Sequence, residues 1–200
     1  MFSLGDIFLL CWAIYLGYWI INWRKVKPTK EKRLGIIHLR LIGIIVIVIA
    51  VLVLKRFHAL PSCRFTQAGC SYSILISQNA FFAVQAIAAP ITIAGLIIAV
   101  FARRKLGRNW SSNVELKEGH ELVTSGIYGY VRHPIYSGIG LMGLGTLLYV
   151  QSIIALLIYV FVFLIFAYRI KKEEELMTKT FPKEYPEYKR KVKALIPYIW

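Results

Sequence analysis

The stretch IYSGIGLMGLGTLLYVQSIIALLIYVFVFLIFAYRI, residues 135–170, decides the fold, because its 36 residues carry no formal charge before Arg169. As a single helix it would be about 54 Å long, whereas the hydrocarbon core of a bilayer is about 30 Å thick. We therefore predict that it folds into a tight helical hairpin. Its polar break, Tyr149-Val150-Gln151-Ser152, is the expected turn.

The rest of the chain also concentrates its apolar residues in blocks. Of its 200 residues, 58% are apolar, and the mean hydropathy is +0.59, whereas a soluble domain averages about 45–50% apolar. Three further blocks, residues 4–23, 34–54 and 80–102, are each long enough to cross a bilayer. We predict an all-α, polytopic membrane protein with five transmembrane helices, the last two forming the hairpin, a cytosolic loop and a C-terminal helical tail.

The distribution of basic residues predicts the orientation in the membrane. Residues 24–33 and 103–132 carry six Lys or Arg each, and the tail from Arg169 carries nine, whereas the loop at 55–79 carries three. Basic residues are retained on the cytoplasmic side of membrane proteins. With five spans, this places the N-terminus on the non-cytoplasmic side and places the C-terminus, the long loop and the candidate site at the cytoplasmic face.

The formal net charge of +15 does not indicate a nucleic-acid-binding protein. The basic residues flank apolar segments and do not form a separate domain, which favours contact with lipid headgroups. The four histidines are scattered without ligand spacing, so we expect no metal. Cys63 and Cys70 share one loop and could pair or remain two free thiols. His38 and Arg40 could reach the membrane interface or line a cavity.

Arg132-His133-Pro134 lies where the hairpin begins. Proline suits the first position of a helix, where free backbone N–H groups favour an anion. The pattern is compatible with a ligand-binding His133 or with a capped helix entry beside a positive-inside arginine. The following GIGLMG, residues 138–143, has the form of a dinucleotide fingerprint without the strand that such a site needs. Its glycines, together with Gly145, are expected to permit close helix packing or to leave room for a ligand.

Glu173-Glu174-Glu175 lies at the other end of the hairpin, in an otherwise basic segment. A charge run is most often a solvated face. Here at least one glutamate could face inward, because the two ends of a hairpin lie close together, and it could bind the ammonium of an amino-acid-like ligand. Arg169, four residues before Glu173, could ion-pair with it or hold a substrate anion.

Two separated motifs resemble a known family. LVTSGIYGYVRHPIYSG, residues 122–138, and EEELMTKTFPKEYPEYKRKV, residues 173–192, resemble the isoprenylcysteine carboxyl methyltransferases, with the likeness extending over residues 109–197. The resemblance implies a membrane methyltransferase that uses S-adenosylmethionine without a Rossmann domain and releases S-adenosylhomocysteine. It also implies a division into three N-terminal helices, residues 1–102, and a cofactor-binding catalytic region, residues 103–200.

The resemblance assigns site residues by position. Arg169 and Glu173 are the expected catalytic residues, with Arg169 on the substrate side and Glu173 also touching the cofactor. The other expected cofactor contacts are His120, Glu121, Leu122, Val123, Tyr128, His133, Pro134, Ile135 and Tyr136, together with Asn113, which aligns with an upstream polar contact.

The implied reaction is methyl transfer to the carboxylate of a lipophilic, prenylcysteine-like substrate that enters from the membrane. A carboxylate is already ionised at neutral pH and needs no general base. A phospholipid or small-amine N-methyltransferase is an alternative, in which Glu173 or His133 would act as the base. A sterol-type reductase with a nicotinamide cofactor and a non-enzymatic scaffold for anionic lipids are further alternatives. The sequence gives no indication of the oligomeric state.

Overall fold

The computed structural model describes residues 4–22, 78–111, 119–151 and 153–199. In these segments the chain forms helices and no strand, which confirms the all-α prediction for them. The helices are α1 (Leu4–Asn22), α2 (Gln78–Leu106), α3 (Pro134–Val150), α4 (Ile153–Thr180) and α5 (Glu184–Lys191). The predicted span at 34–54, with His38 and Arg40, the loop with Cys63 and Cys70, and Asn113 lie outside the described residues.

The hairpin forms with the turn where it was predicted. Helix α3 ends at Val150, and Gln151 adopts the left-handed conformation, with φ 48° and ψ 42°, that ends many helices. Its backbone N–H donates to the carbonyl of Leu147 at 2.8 Å. Helix α4 then begins at Ile153, so the start of α3 and the polar end of α4 lie at the same end of the molecule.

Helices α2 and α3 pack closely because glycines line their contact. A Cβ atom added at Gly138 would lie 2.6 Å from the carbonyl oxygen of Gly95, and one added at Gly145 would lie 2.6 Å from that of Ala88. Small residues allow membrane helices to approach to backbone contact. The expectation of close helix packing is therefore confirmed at Gly138 and Gly145. Helix α2 runs through Pro90 without ending.

Helix α1 lies beside α2 and runs in the same direction. Near its start the Phe8 ring stacks on Tyr149, with centroids 4.4 Å apart. At its end the carbonyl of Asn22 accepts a hydrogen bond from Arg103 Nη2 at 3.2 Å. Helix α1 and residues 83–109 are long and apolar enough to cross a membrane, and α3 is apolar but shorter.

The C-terminal segment folds back on the protein. In the sequence, Tyr185, Tyr188, Val192 and Leu195 have a partly amphipathic helical spacing that could place the tail on the membrane. In the structure Tyr185, Tyr188 and Leu195 are buried against the protein instead. The physical reason is that helix α5 stops at Lys191 and the chain becomes extended at Val192. Lys193 can then form a parallel bridge with Val131, directly before the motif at the start of α3.

Candidate active site

Four of the predicted site residues converge at the polar end of the hairpin. The Tyr136 hydroxyl donates to Glu173 Oε1 at 2.5 Å, and Arg169 Nη2 donates to the same oxygen at 3.4 Å. His133 Nδ1 lies 3.6 Å from Glu173 Oε2. His133 directly precedes α3, Tyr136 is in its first turn, and Arg169 and Glu173 are one turn apart on α4. The predicted Arg169–Glu173 ion pair is confirmed.

Two aromatic rings border the polar cluster. The Arg169 guanidinium lies 6.0 Å from the centre of the Tyr136 ring. That ring in turn lies 5.0 Å from the ring of Phe166, one turn of α4 before Ile170. Because an arginine over an aromatic face is held by cation–π attraction as well as by its ion pair, the guanidinium has a fixed direction.

The charges of the cluster follow from its hydrogen bonds. Burial alone would raise the pKa of Glu173, but the hydrogen bond and charge of His133 and the charge of Arg169 outweigh it, so the pKa is lowered. Burial alone would lower the pKa of His133, but hydrogen bonds to Glu173 and Glu174 outweigh it and raise the pKa. The site therefore pairs a carboxylate with an imidazole that favours its protonated, positively charged form.

A second ion pair lies behind this cluster and was not predicted. Arg132 Nη2 lies 2.5 Å from Glu174 Oε1, with both side chains less than a tenth exposed. Lys189 Nζ approaches the other oxygen of Glu174 at 2.6 Å. Burial would raise the pKa of Glu174, but hydrogen bonds from His133, Lys189 and Arg132 lower it to about 2. The sequence signal was present, since Arg132 and Glu174 neighbour the two predicted residues His133 and Glu173.

The remaining predicted residues take other places. Tyr128 is buried, and its hydroxyl donates to the carbonyl of Ala102 at 3.4 Å, so it holds the loop onto α2. Pro134 is fully buried at the start of α3. The ring of His120 lies 6.3 Å from that of Phe181, just after α4.

The segment that follows His120 and the residue that follows Pro134 are less enclosed. Glu121 is exposed, while Leu122, Val123 and Ile135 are half-buried. Within the described part of the chain, no group of three or more His, Cys, Asp or Glu side chains is placed to hold a metal ion.

Comparison with known proteins shows which family the region around this site resembles. Residues 87–179 match the family model of the isoprenylcysteine carboxyl methyltransferase (ICMT) family. This part of the chain is therefore similar to the ICMT family. The ICMT-like region contains His133, Tyr136, Arg169 and Glu173, and the Arg132–Glu174 pair as well.

Curated proteins resemble the same region. A protein-S-isoprenylcysteine O-methyltransferase of Saccharomyces cerevisiae is 36% identical over 112 residues, which cover 54% of this chain and 47% of that protein. The protein-S-isoprenylcysteine O-methyltransferase B of Arabidopsis thaliana is 34% identical over 110 residues, covering 54% of this chain and 56% of that protein. The chain thus spans about half the length of these ICMT relatives.

A solved structure shares the fold. The eukaryotic intramembrane Ras methyltransferase ICMT superposes with a TM-score of 0.60 at 22% sequence identity, over 96% of this chain and 63% of that one. The all-α arrangement described above is therefore the ICMT fold.

Proposed function

We propose that the chain is a membrane-embedded methyltransferase that moves a methyl group from S-adenosylmethionine to the carboxylate of a lipophilic, prenylcysteine-like substrate. The observation that carries the proposal is the cluster of His133, Tyr136, Arg169 and Glu173, inside the part of the chain that matches the ICMT family. The curated relatives of this region are named protein-S-isoprenylcysteine O-methyltransferases.

The charges of the cluster fit the methyl donor. S-adenosylmethionine carries an ammonium and a carboxylate on its amino-acid end. The Glu173 side chain is ionised and 25% exposed, which suits it to the ammonium, and the imidazole of His133 suits the carboxylate. When bound, the donor supplies a sulfonium-linked methyl group that a carboxylate can displace directly. We further assign donor contacts to the segment 120–123 and to Ile135, with Tyr128 and Pro134 supporting them.

Arg169 is the proposed contact for the acceptor. Its guanidinium can pair with a carboxylate through two parallel hydrogen bonds, which would fix the attacking oxygen. Because that oxygen is ionised at neutral pH, the chain needs to supply no general base. Arg169 already faces a carboxylate, that of Glu173, so both anions would be arranged about one cation.

An apolar stripe on α4 ends at the level of Arg169 and supports a lipophilic acceptor. Leu157, Phe161, Leu164 and Tyr168 recur at the spacing of one helical face and are more than half exposed. A prenyl chain lying along this face would bring its polar end to the level of Arg169. The acceptor would then enter sideways from the membrane, without crossing water.

We also propose that the site faces the cytoplasm and that residues 103–200 form the catalytic region. At the site end of the molecule, α2 finishes with Arg103, Arg104 and Lys105, and α5 finishes with Lys189, Arg190 and Lys191. Basic residues at one end of a helix bundle favour the cytoplasmic side. Labelling of single cysteines from either side of sealed vesicles tests this orientation.

The activity is tested by methyl transfer in detergent-purified protein. Radiolabelled S-adenosylmethionine is offered with a prenylcysteine or with an amine lipid, and Arg169→Ala is compared with Lys179→Ala, an exposed cation in the last turn of the same helix. A hydrogen bond to a charged group is worth about 1.5–3 kcal/mol, so Arg169→Ala should lower kcat/KM about 10- to 150-fold. The Lys179 variant should match the wild type.

Two results would contradict this assignment. Full turnover of the prenylcysteine by Arg169→Ala would show that Arg169 does not bind the acceptor. Methylation of the amine lipid alone, with a rate that rises with pH, would assign the chain to the N-methyltransferases, because an amine must lose a proton before or during the transfer.

A further inference from the structure

The neighbouring glutamates 173 and 174 have different surroundings. Glu173 contacts Tyr136 and Arg169 and keeps a quarter of its side chain exposed. The Glu174 side chain is only 9% exposed and is enclosed by cations. Successive residues on a helix point about 100° apart, so the two carboxylates meet different neighbours. Glu173 is open to a ligand, and Glu174 is closed to one.

The Arg132 guanidinium donates hydrogen bonds to other groups of the protein. Its Nε and Nη2 donate to Glu174 Oε1 at 2.9 and 2.5 Å. Its Nη1 donates to the carbonyl of Lys189 at 3.3 Å and to that of Val192. With 8% of its side chain exposed, Arg132 joins the start of α3, helix α4 and the C-terminal segment.

His133 is held through its backbone by the C-terminal segment and through its ring by α4. Its backbone N–H donates to the carbonyl of Ala194 at 2.9 Å, next to the bond from the Arg132 N–H to Lys193 at 2.8 Å. Its ring Nε2 lies 3.3 Å from Glu174 Oε1, and its Nδ1 faces Glu173. A fixed Nε2 fixes the plane of the ring and therefore the direction of Nδ1.

We propose that Arg132 and Glu174 are positioning residues, which hold the His133 ring and the C-terminal segment 192–195 so that His133 Nδ1 and Glu173 present a matched pair of charges to the ligand. The inference rests on the proposed function for the identity of that ligand. Neither residue is expected to touch it.

The groups that face His133 set its titration. They are Glu173 and Glu174 on α4, the hydroxyl of Tyr136 on α3, and, through the two carboxylates, Arg169, Arg132 and Lys189. Replacing Glu174 by glutamine keeps the shape of the side chain and removes one of the two negative neighbours. The pKa of His133 should fall, so that the ring loses its proton at a lower pH.

The experiment compares three adjacent positions. Binding of S-adenosylhomocysteine to purified full-length protein is measured by calorimetry between pH 6 and pH 8 for Glu173→Gln, Glu174→Gln and Glu175→Gln. Glu175 is the matched control, because it is 44% exposed and paired with Lys172. The pKa of His133 is followed in parallel by NMR of labelled histidine without any ligand.

Glu174→Gln should weaken binding roughly tenfold at pH 8, as outer partners of ligating histidines do at metal sites. The loss should shrink toward pH 6, because a lower pH favours the protonated ring. Glu175→Gln should bind like the wild type. If Glu174→Gln binds like the wild type throughout, or if the pKa of His133 does not fall, the positioning role is wrong. Absence of binding by the wild type would instead refute the proposed donor, while the NMR result would still test the geometry.

A double variant separates positioning from folding. Removing one partner of a buried ion pair leaves an uncompensated charge, whereas removing both charges need not destabilise. The double variant Arg132→Gln/Glu174→Gln should therefore have a melting temperature closer to that of the wild type than either single variant has. It should still bind S-adenosylhomocysteine roughly tenfold more weakly than the wild type. Recovery of affinity together with stability would reduce the pair to a structural role and overturn the proposal. If Glu174→Gln fails to fold, Glu174→Asp replaces it. The shorter side chain keeps the charge but not the contacts with Arg132 and His133, so binding should weaken without a fall in the pKa of His133, and binding equal to the wild type would overturn the proposal.

Discussion

Replacing Gly138 by alanine should push α2 and α3 apart. The added Cβ would lie 2.6 Å from the carbonyl oxygen of Gly95 and 2.7 Å from the backbone nitrogen of Ala99. Both are backbone atoms, so no side-chain rotation can make room. Reaching the 3.4 Å of ordinary van der Waals contact from 2.6 Å requires the backbones to separate by about 0.8 Å.

The cost follows from overpacking. Inserting a group into a packed contact costs roughly 1–3 kcal/mol, while alanine in place of glycine within a helix contributes roughly 0.8–1 kcal/mol in the opposite direction. Gly140 supplies the control, because a Cβ there meets nothing within 4 Å. Both variants gain helix propensity, so the difference between their unfolding free energies isolates the clash, and we expect it to be about 1–3 kcal/mol.

The assay is reversible unfolding of both variants in detergent or bicelles, followed by circular dichroism. Gly138→Ala should be the less stable variant, and Gly140→Ala should equal or exceed the wild type. A difference below about 0.5 kcal/mol, which is the usual range of surface substitutions, would refute the backbone contact between α2 and α3. Because Gly138 lies one turn beyond His133, Gly138→Ala should also weaken ligand binding, whereas Gly140→Ala should not.

Two further predictions concern stability. The folded-state pKa of Glu174 is about 2, below its unfolded value of about 4.3. Its ionised form therefore contributes on the order of 3 kcal/mol to the free energy of unfolding, and this contribution is complete above about pH 4.3 and is lost as the pH falls toward 2. The pKa of His133 is raised, so its contribution is complete below about pH 6.5 and is lost as the pH rises through the folded-state value. The melting temperature should accordingly be highest between these two pH limits. A melting temperature that stays constant from pH 3 to pH 8 would contradict the directions of both pKa shifts. Tyr188→Phe removes the hydrogen bond to the buried carbonyl of Tyr128 and should lower the free energy of unfolding by about 1–3 kcal/mol. Tyr198→Phe, at a residue that is 88% exposed, should change it little. Equal losses of stability in the two variants would show that the hydrogen bond does not stabilise the fold.

The hairpin and the main part of the candidate site were predictable from the sequence. Length alone excludes a single span for residues 135–170, and one polar break places the turn near Gln151. Once the turn is placed, the start of α3 must meet the part of α4 that contains Arg169 and Glu173. The ion pair of Arg169 with Glu173 then follows from their spacing of one helical turn.

The back of the site was not predictable in the same way. The burial of Glu174 depends on Arg132 and on Lys189, which are distant in sequence, and a run of three glutamates is most often a solvated face. The aromatic pattern of α5 has the period of an amphipathic helix whether it faces a membrane or a protein. Only the return of residues 192–195 to the start of α3 distinguishes the two, because that pairing is long-range.

The central claim is that the polar end of the hairpin binds a methyl donor, and binding of S-adenosylhomocysteine by calorimetry tests it most directly. The wild type and Glu175→Gln should bind with micromolar affinity, while His133→Ala should lose most of it, because an alanine removes both the charge and the ring held between the two glutamates. Absence of binding by properly folded wild-type protein, or equal binding by His133→Ala, would contradict the account.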